Sequence, residues 1–165
     1  MTPYSKLQIF LHWFSAAIIL WATASGFFTA FVGLPDSLRE LVEFFNVSIT
    51  TVLIPFFIIR IYLALTRNVI KKKSNTAWIA LIAHSLIYLT TFAVLVSGVL
   101  MMDRDINIFN IFLIPQPLKD PQLIEFFHVA HSYACIALAA LLILHLAAVV
   151  KHHLAGNPIL KRMSW

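Results

Sequence analysis

Four long apolar segments alternate with short polar connections along the chain. They cover residues 8–33, 44–66, 77–102 and 123–150, to within a few positions. Each is long enough to cross a bilayer as a helix, which needs roughly 20 residues. Because the connections are short, sequential helices should be antiparallel neighbours. The pattern predicts an all-α integral membrane protein, a single four-helix bundle formed by residues 1–165.

The polar connections contain residues that end helices. Gly33 to Ser37 separates the first two segments, and Lys71 to Asn75 separates the second from the third. The third connection is the longest and is rich in proline, which cannot continue a helix. It has room for a short apolar piece, Ile106 to Ile114, which we expect to be re-entrant or to lie on the surface.

Composition supports this class. Hydrophobic residues make up 61% of the chain and charged residues 12%, which is typical of a polytopic membrane protein in contact with lipid. The net charge of +5 does not indicate nucleic-acid binding, because the basic residues lie mainly in short segments between spans. The single cysteine, Cys135, lies inside the last apolar segment, so no internal disulfide is expected.

The distribution of lysine and arginine predicts the orientation. Basic residues accumulate at the N-terminus, in the second connection and in the C-terminal tail: Lys6, Arg67, Lys71, Lys72, Lys73, Lys151, Lys161 and Arg162. The first and third connections are net acidic. Since cytoplasmic loops carry an excess of basic residues, both termini and the second connection should face the cytoplasm.

Histidines mark the candidate chemistry. Five of the seven histidines lie between Phe127 and His153, a stretch that is otherwise almost purely apolar. His131 and His145 are fourteen residues apart, so in a helix they share one face and are separated by roughly 21 Å. Two imidazoles on one face at two depths suit two stacked hemes in a bundle, each held by imidazoles from two facing helices.

The ligands of each heme must match in depth. His12, near the start of the first span, matches His145 at the cytoplasmic side, and two imidazoles would leave the iron no vacant position. His131 needs a partner near the start of the second span, where Asn46 stands instead of a histidine. Arg60, on the same face as Asn46, has two interpretations: it binds a heme propionate, or it snorkels to the membrane surface.

The other histidines have simpler interpretations. His152 and His153 are expected to be solvated end residues, and His84 to pack within the third span, with a bond to a quinone headgroup as its alternative. His128 is expected at the membrane interface and is a reserve ligand. A site for a bare metal ion is disfavoured, because no thiol joins His128 and His131 and Glu125 is the nearest carboxylate along the chain.

Several stretches together resemble the bacterial cytochrome b561 family. They are Tyr4 to Trp13, His84 to Met102, the pair His131 and His145, and Lys151 to Met163. Members of this family are small di-heme proteins of four helices in the inner membrane, and the resemblance runs along the whole chain. It implies electron transfer between ubiquinone and a second substrate, which in one branch of the family is periplasmic superoxide.

The resemblance implies that His12 and His145 ligate the inner heme b and that His131 ligates the outer one. The family has its remaining ligand at the start of helix two, in a His-x-Ser-x-Gly pattern. Here the matching stretch runs from Asn46 to Thr50 and lacks both the histidine and the glycine. The outer heme is therefore absent, five-coordinate on His131, or held by another group such as His128.

We expect a quinone-linked cytochrome b with one or two hemes and a membrane or periplasmic redox partner. Ubiquinone is expected near the inner heme, beside Lys6, Gln8 and Trp13. The acidic outer connections argue against superoxide, because an anion is attracted by a basic surface. Two alternatives remain open: a heme-bearing membrane anchor of a dehydrogenase or hydrogenase, and a heme-free transporter or scaffold that uses the histidines as polar contacts between helices.

Overall fold

A computed structural model describes residues 4–66 and 75–156, with side chains from residue 78 onward in the second range. Its elements are α1 (Lys6–Phe31), α2 (Asp36–Thr66), α3 (Asn75–Leu100), β1 (Ile106–Ile108), β2 (Phe112–Ile114) and α4 (Pro121–Leu154). Within these residues, four helices are long and apolar enough to cross a membrane, which confirms the predicted fold class. The basic residues of the second connection and of the tail beyond residue 156 lie outside the described residues.

The helices begin where the sequence supplies caps. Ser5 caps α1: the Gln8 N–H donates to Ser5 Oγ, and the Ser5 N–H donates to Gln8 Oε1. This reciprocal pair satisfies two donors that a helix start would leave unbonded. Asp120 caps α4, with Pro121 in the first turn, where its missing N–H costs nothing. Helices α2 and α4 begin before the predicted spans, and α4 begins at its Asp120 cap in the third connection.

The helices pack as two pairs, α1 with α2 and α3 with α4. A small core of buried apolar side chains joins the pairs: Ile19 of α1, Leu53 and Phe57 of α2, Leu95 of α3, and Leu138 of α4. Leu53 and Phe57 are only 1% and 2% exposed, so α2 supplies the centre of this core. We call the end of the bundle that holds the start of α1 and the end of α4 the inner end, and the opposite end the outer end.

The apolar piece of the third connection is a β-hairpin at the outer end. Strands β1 and β2 are antiparallel, and Ile106 faces Ile114 in the register. In the turn, Phe109 and Asn110 have φ values of 49° and 57°, and the Ile111 N–H closes the turn by donating to the carbonyl of Ile108 at 2.9 Å. Asn tolerates this left-handed conformation, whereas a bulky aromatic residue adopts it rarely.

Ser48 of α2 anchors this hairpin. Its fully buried hydroxyl donates to the carbonyl of Asn107 and accepts a hydrogen bond from the Phe109 N–H, both at 3.2 Å. Ile106 of β1 is also buried, whereas all three residues of β2 are exposed. The hairpin therefore packs on the outer half of α2 through β1 and presents an apolar strand outward.

Candidate functional site

Side chains from all four helices meet at the inner end. Arg60 of α2 donates from Nη2 to Nδ1 of His12 in α1, at 2.9 Å. The same guanidinium lies 5.1 Å from the ring centre of Tyr88 in α3, in cation–π contact. The rings of His84 in α3 and His145 in α4 meet edge to face, with 5.4 Å between their centres. We call these five residues the inner cluster.

Contacts link the inner cluster across helix boundaries. Arg60 of α2 bonds to His12 of α1 and lies over Tyr88 of α3, and His84 of α3 meets His145 of α4. This brings together the two histidines that the sequence analysis paired by depth. Arg60 is partly buried among them. Its guanidinium contacts His12 and Tyr88.

The hydrogen bond between Arg60 and His12 also determines which ring nitrogen of His12 carries the proton. A guanidinium has only donors, so Nδ1 of His12 must be the acceptor. The proton of a neutral His12 then resides on Nε2. His12 additionally contacts Trp13 edge to face, with ring centres 5.4 Å apart, and Gln8, the other residue expected near a quinone, is used in the cap of α1.

His84 and Tyr88 are members of this cluster that the sequence analysis did not assign to it. His84 was expected to pack within the third span, and Tyr88 was not singled out. They are four residues apart, so they lie on neighbouring turns of one face of α3. That spacing was visible in the sequence, but it does not reveal which helix the face meets. The contacts with Arg60 and His145 supply that information.

At the outer end, His131 of α4 is held against α3. A carbonyl only accepts, so Nδ1 of His131 donates to the backbone oxygen of Val94 at 3.1 Å. Ser97 Oγ lies 3.2 Å from the same nitrogen. Gly98 gives the ring room, because a Cβ there would stand 3.1 Å from Cε1 of His131. Nε2 has Cys135 Sγ as a neighbour at 3.4 Å, one helical turn away.

Asn46 of α2 is bonded to α1. Ser25 Oγ donates to Asn46 Oδ1 at 3.1 Å, and Asn46 Nδ2 donates to the carbonyl of Ala22 at 3.3 Å. Gly26 leaves space for the amide, which lies 3.8 Å from where a Cβ would stand. Both polar atoms of the Asn46 side chain therefore form hydrogen bonds within the first helix pair, α1 and α2. His131 forms its hydrogen bonds within the second pair, α3 and α4.

The two ends differ in how well they fit a heme. The inner cluster offers an imidazole from α1, a second from α4 and a guanidinium for a propionate, and this donor set fits a bis-imidazole heme b. The outer end offers His131 from one side and, at the depth of the missing partner, an amide whose atoms are already bonded. Among the described residues, no group of three or more His, Cys, Asp or Glu side chains could hold a bare metal ion.

The remaining candidates lie apart from both sites. His128 is exposed on the outer part of α4, where its carbonyl accepts a hydrogen bond from Ser132 Oγ. His152 and His153 are exposed in the last turn of α4, beside Lys151.

Comparison with known proteins bears on the whole chain. No curated protein matches it. A family model described as prokaryotic cytochrome b561 matches residues 3–165, nearly the full length, and therefore includes the inner cluster, His131 and Asn46. The chain thus belongs to the prokaryotic cytochrome b561 family, membrane proteins of helical-bundle fold that bind heme b and transfer electrons.

Proposed function

We propose that this protein transfers electrons between the ubiquinone pool and a second redox partner through one heme b at the inner cluster. His12 and His145 would hold the heme iron, and Arg60 would bind a propionate. The observation that carries the proposal is the convergence of these three side chains, from three different helices, at one end of the bundle. The heme would supply a one-electron Fe(III)/Fe(II) couple there.

The protein's own groups set the conditions for that couple. Two imidazoles would leave the iron no open position, which would favour electron transfer over binding of a substrate to iron. Coordination through Nε2 of His12 requires its proton to be on Nδ1, and Arg60 cannot donate to a nitrogen that carries a proton. We therefore expect Arg60 to turn from His12 to the propionate, while Tyr88 keeps contact with the face of the guanidinium.

Arg60→Leu tests the role of the guanidinium. Removing a positive charge beside the heme disfavours the extra electron of the ferrous state, so the midpoint potential should fall, on the order of tens of millivolts, or heme should be lost during purification. Redox titration and heme content measure both effects. Arg104→Leu, which removes an exposed arginine at the outer end, is the control. An unchanged potential and heme content in Arg60→Leu would favour the snorkeling interpretation.

The outer end makes superoxide the weaker candidate for the second substrate. All seven acidic residues of the chain lie in or beside the first and third connections: Asp36, Glu40, Glu43, Asp103, Asp105, Asp120 and Glu125. Glu40 and Asp105 line a cleft of about 330 Å³ together with Arg104. Net negative charge repels an anion. We therefore propose that the second redox partner is a membrane-bound molecule or a protein, and not superoxide.

A second candidate function is that of a heme-bearing membrane anchor for a dehydrogenase or hydrogenase. The exposed apolar strand β2, held on α2 through Ser48, favours it, because it offers an ordered apolar surface at the outer end. A heme-free transporter or scaffold has no support from the family to which the chain belongs. Copurification of a stoichiometric dehydrogenase subunit from native membranes would select the anchor function.

Both termini should face the cytoplasm, with the chain in the bacterial inner membrane. The basic residues of the second connection and the tail support this orientation, and the acidic outer end agrees with it. A reporter fused after Trp165 that works only in the cytoplasm should therefore be active, and one that works only in the periplasm should be silent. The reverse pair of results would overturn the orientation and exchange the cytoplasmic and periplasmic assignments of the two ends.

A further inference from the structure

We propose that the cleft at the outer end of the bundle binds one phospholipid whose headgroup carries both a phosphate and a primary ammonium, as that of phosphatidylethanolamine does. The cleft has a volume of about 330 Å³ and lies between the start of α2, the residues that follow α3, and β1. Carboxylates, a guanidinium and an apolar floor line it: Glu40, Asp105, Arg104, Phe44, Val47 and Met102. Because the inner cluster lies at the opposite end, the proposal does not depend on the heme.

The cleft lies at the depth of a lipid headgroup. Glu40 and Arg60 are twenty residues apart in α2, so roughly 30 Å separates them along the helix. This distance is about the thickness of the hydrocarbon core of a bilayer. Since Arg60 belongs to the inner end, Glu40 lies near the opposite boundary of the membrane.

The lining of the cleft changes from polar to apolar toward the membrane centre. Glu40, Phe44 and Val47 have the spacing of one helix face, and Val47 lies roughly 10 Å further into the span than Glu40. Met102 adds a buried apolar side chain from the end of α3. A phospholipid at the membrane surface has the same order, with its charged headgroup outward and its acyl chains inward.

Arg104 offers donors for the phosphate. Its Nη2 lies 4.0 Å from Glu43 Oε2, and the two side chains are 68% and 46% exposed, so this ion pair is loose. A guanidinium has five N–H donors in a planar fork that matches the oxygens of a phosphate. Arg104 can therefore bind a phosphate group at the mouth of the cleft.

The carboxylates match the ammonium. The Gln116 N–H donates to Asp105 Oδ1 at 2.8 Å, which holds this carboxylate in place. An ionised carboxylate accepts hydrogen bonds at both oxygens, so Asp105 has capacity for a further donor, and Glu40 adds a second carboxylate. A primary ammonium brings three N–H donors and a positive charge. The glycerol headgroup of phosphatidylglycerol has no positive charge, so the cleft should prefer the ethanolamine lipid.

Native mass spectrometry of the purified full-length protein, titrated with two lipids of identical acyl chains, tests the site. Dioleoylphosphatidylethanolamine should bind about tenfold more tightly than dioleoylphosphatidylglycerol. Glu40→Gln and Asp105→Asn keep the side-chain size, and the new amide of Asp105→Asn can still accept from Gln116. Each should bind the ethanolamine lipid about fivefold more weakly, with no loss for the glycerol lipid. Glu125→Gln, which neutralises an exposed carboxylate outside the cleft lining, should bind both lipids as the wild type does.

Three results would overturn the proposal. Equal wild-type affinities for the two lipids would mean that lipid contacts the bundle without recognition of its headgroup. A preference that persists in both carboxylate variants, or that Glu125→Gln reduces equally, would exclude the cleft as its source. Glycerophosphoethanolamine, the headgroup without acyl chains, should bind about a hundredfold more weakly than the lipid, and equal affinity would assign the cleft to a soluble ligand. Helical circular dichroism shows that each variant is folded, and either carboxylate variant alone suffices for the comparison.

Discussion

His145→Ala is expected to abolish the low-spin heme spectrum of the purified protein, and His12→Ala to do the same. A bis-imidazole heme depends on both ligands, because losing one leaves the iron open to water or too weakly held to survive purification. The two residues lie on different helices, and both belong to the inner cluster. Either substitution should thus have the same spectroscopic consequence, although the two lie far apart in sequence.

Optical and electron paramagnetic resonance spectra of detergent-purified protein measure this loss. His152→Ala and His153→Ala are matched controls, since they remove exposed histidines from the last turn of the helix that holds His145. Both should retain the wild-type spectrum. Helical circular dichroism shows whether each variant remains folded. A folded His145→Ala protein with the complete low-spin spectrum would refute the assignment of the inner ligands.

Much of the fold follows from the sequence, because membrane spans have a simple requirement. A run of about 20 apolar residues must satisfy its backbone internally, so four such runs predict four helices. The β-hairpin was harder to predict from the sequence. The stretch Ile106 to Ile114 is apolar, but its turn depends on left-handed conformations at Phe109 and Asn110 and on the anchor that Ser48 supplies. No local sequence pattern predicts such a contact between segments that lie far apart in the chain.

The candidate site was predictable to the extent that helix geometry determines it. Residue spacing gives the face and the depth of a side chain, which was enough to place His12 at the level of His145. It does not give the neighbour across a helix boundary. His84 was expected to pack within its span for this reason, and the direction of Arg60 was left open between two interpretations. The contacts with His12, Tyr88 and His145 add what spacing lacks.

The second large expected effect concerns the outer heme position, where Asn46 stands in place of a histidine. The wild-type protein should contain no bis-histidine heme between His131 and α2, because an amide is a poor iron ligand and both polar atoms of Asn46 are bonded to Ser25 and Ala22. Nδ1 of His131 carries the proton and donates a hydrogen bond to the carbonyl of Val94, which leaves Nε2 without a proton, as ligation requires. We therefore expect the outer position to be without heme, five-coordinate on His131, or completed by another group such as His128. A pyridine hemochrome assay counts hemes per chain, and carbon monoxide or cyanide detects an open iron.

Asn46→His should change the number of low-spin hemes in the protein. An imidazole at this depth supplies the second ligand, so the variant should gain a low-spin heme, or a high-spin heme should become low-spin and stop binding carbon monoxide. Asn46→Ala is the control: it breaks the same bonds to Ser25 and Ala22 without adding a ligand, and should leave the heme count unchanged. His128→Ala tests the reserve ligand. Two low-spin, ligand-inert hemes in the wild type, retained in His128→Ala, would refute the prediction and require an outer ligand other than Asn46 and His128.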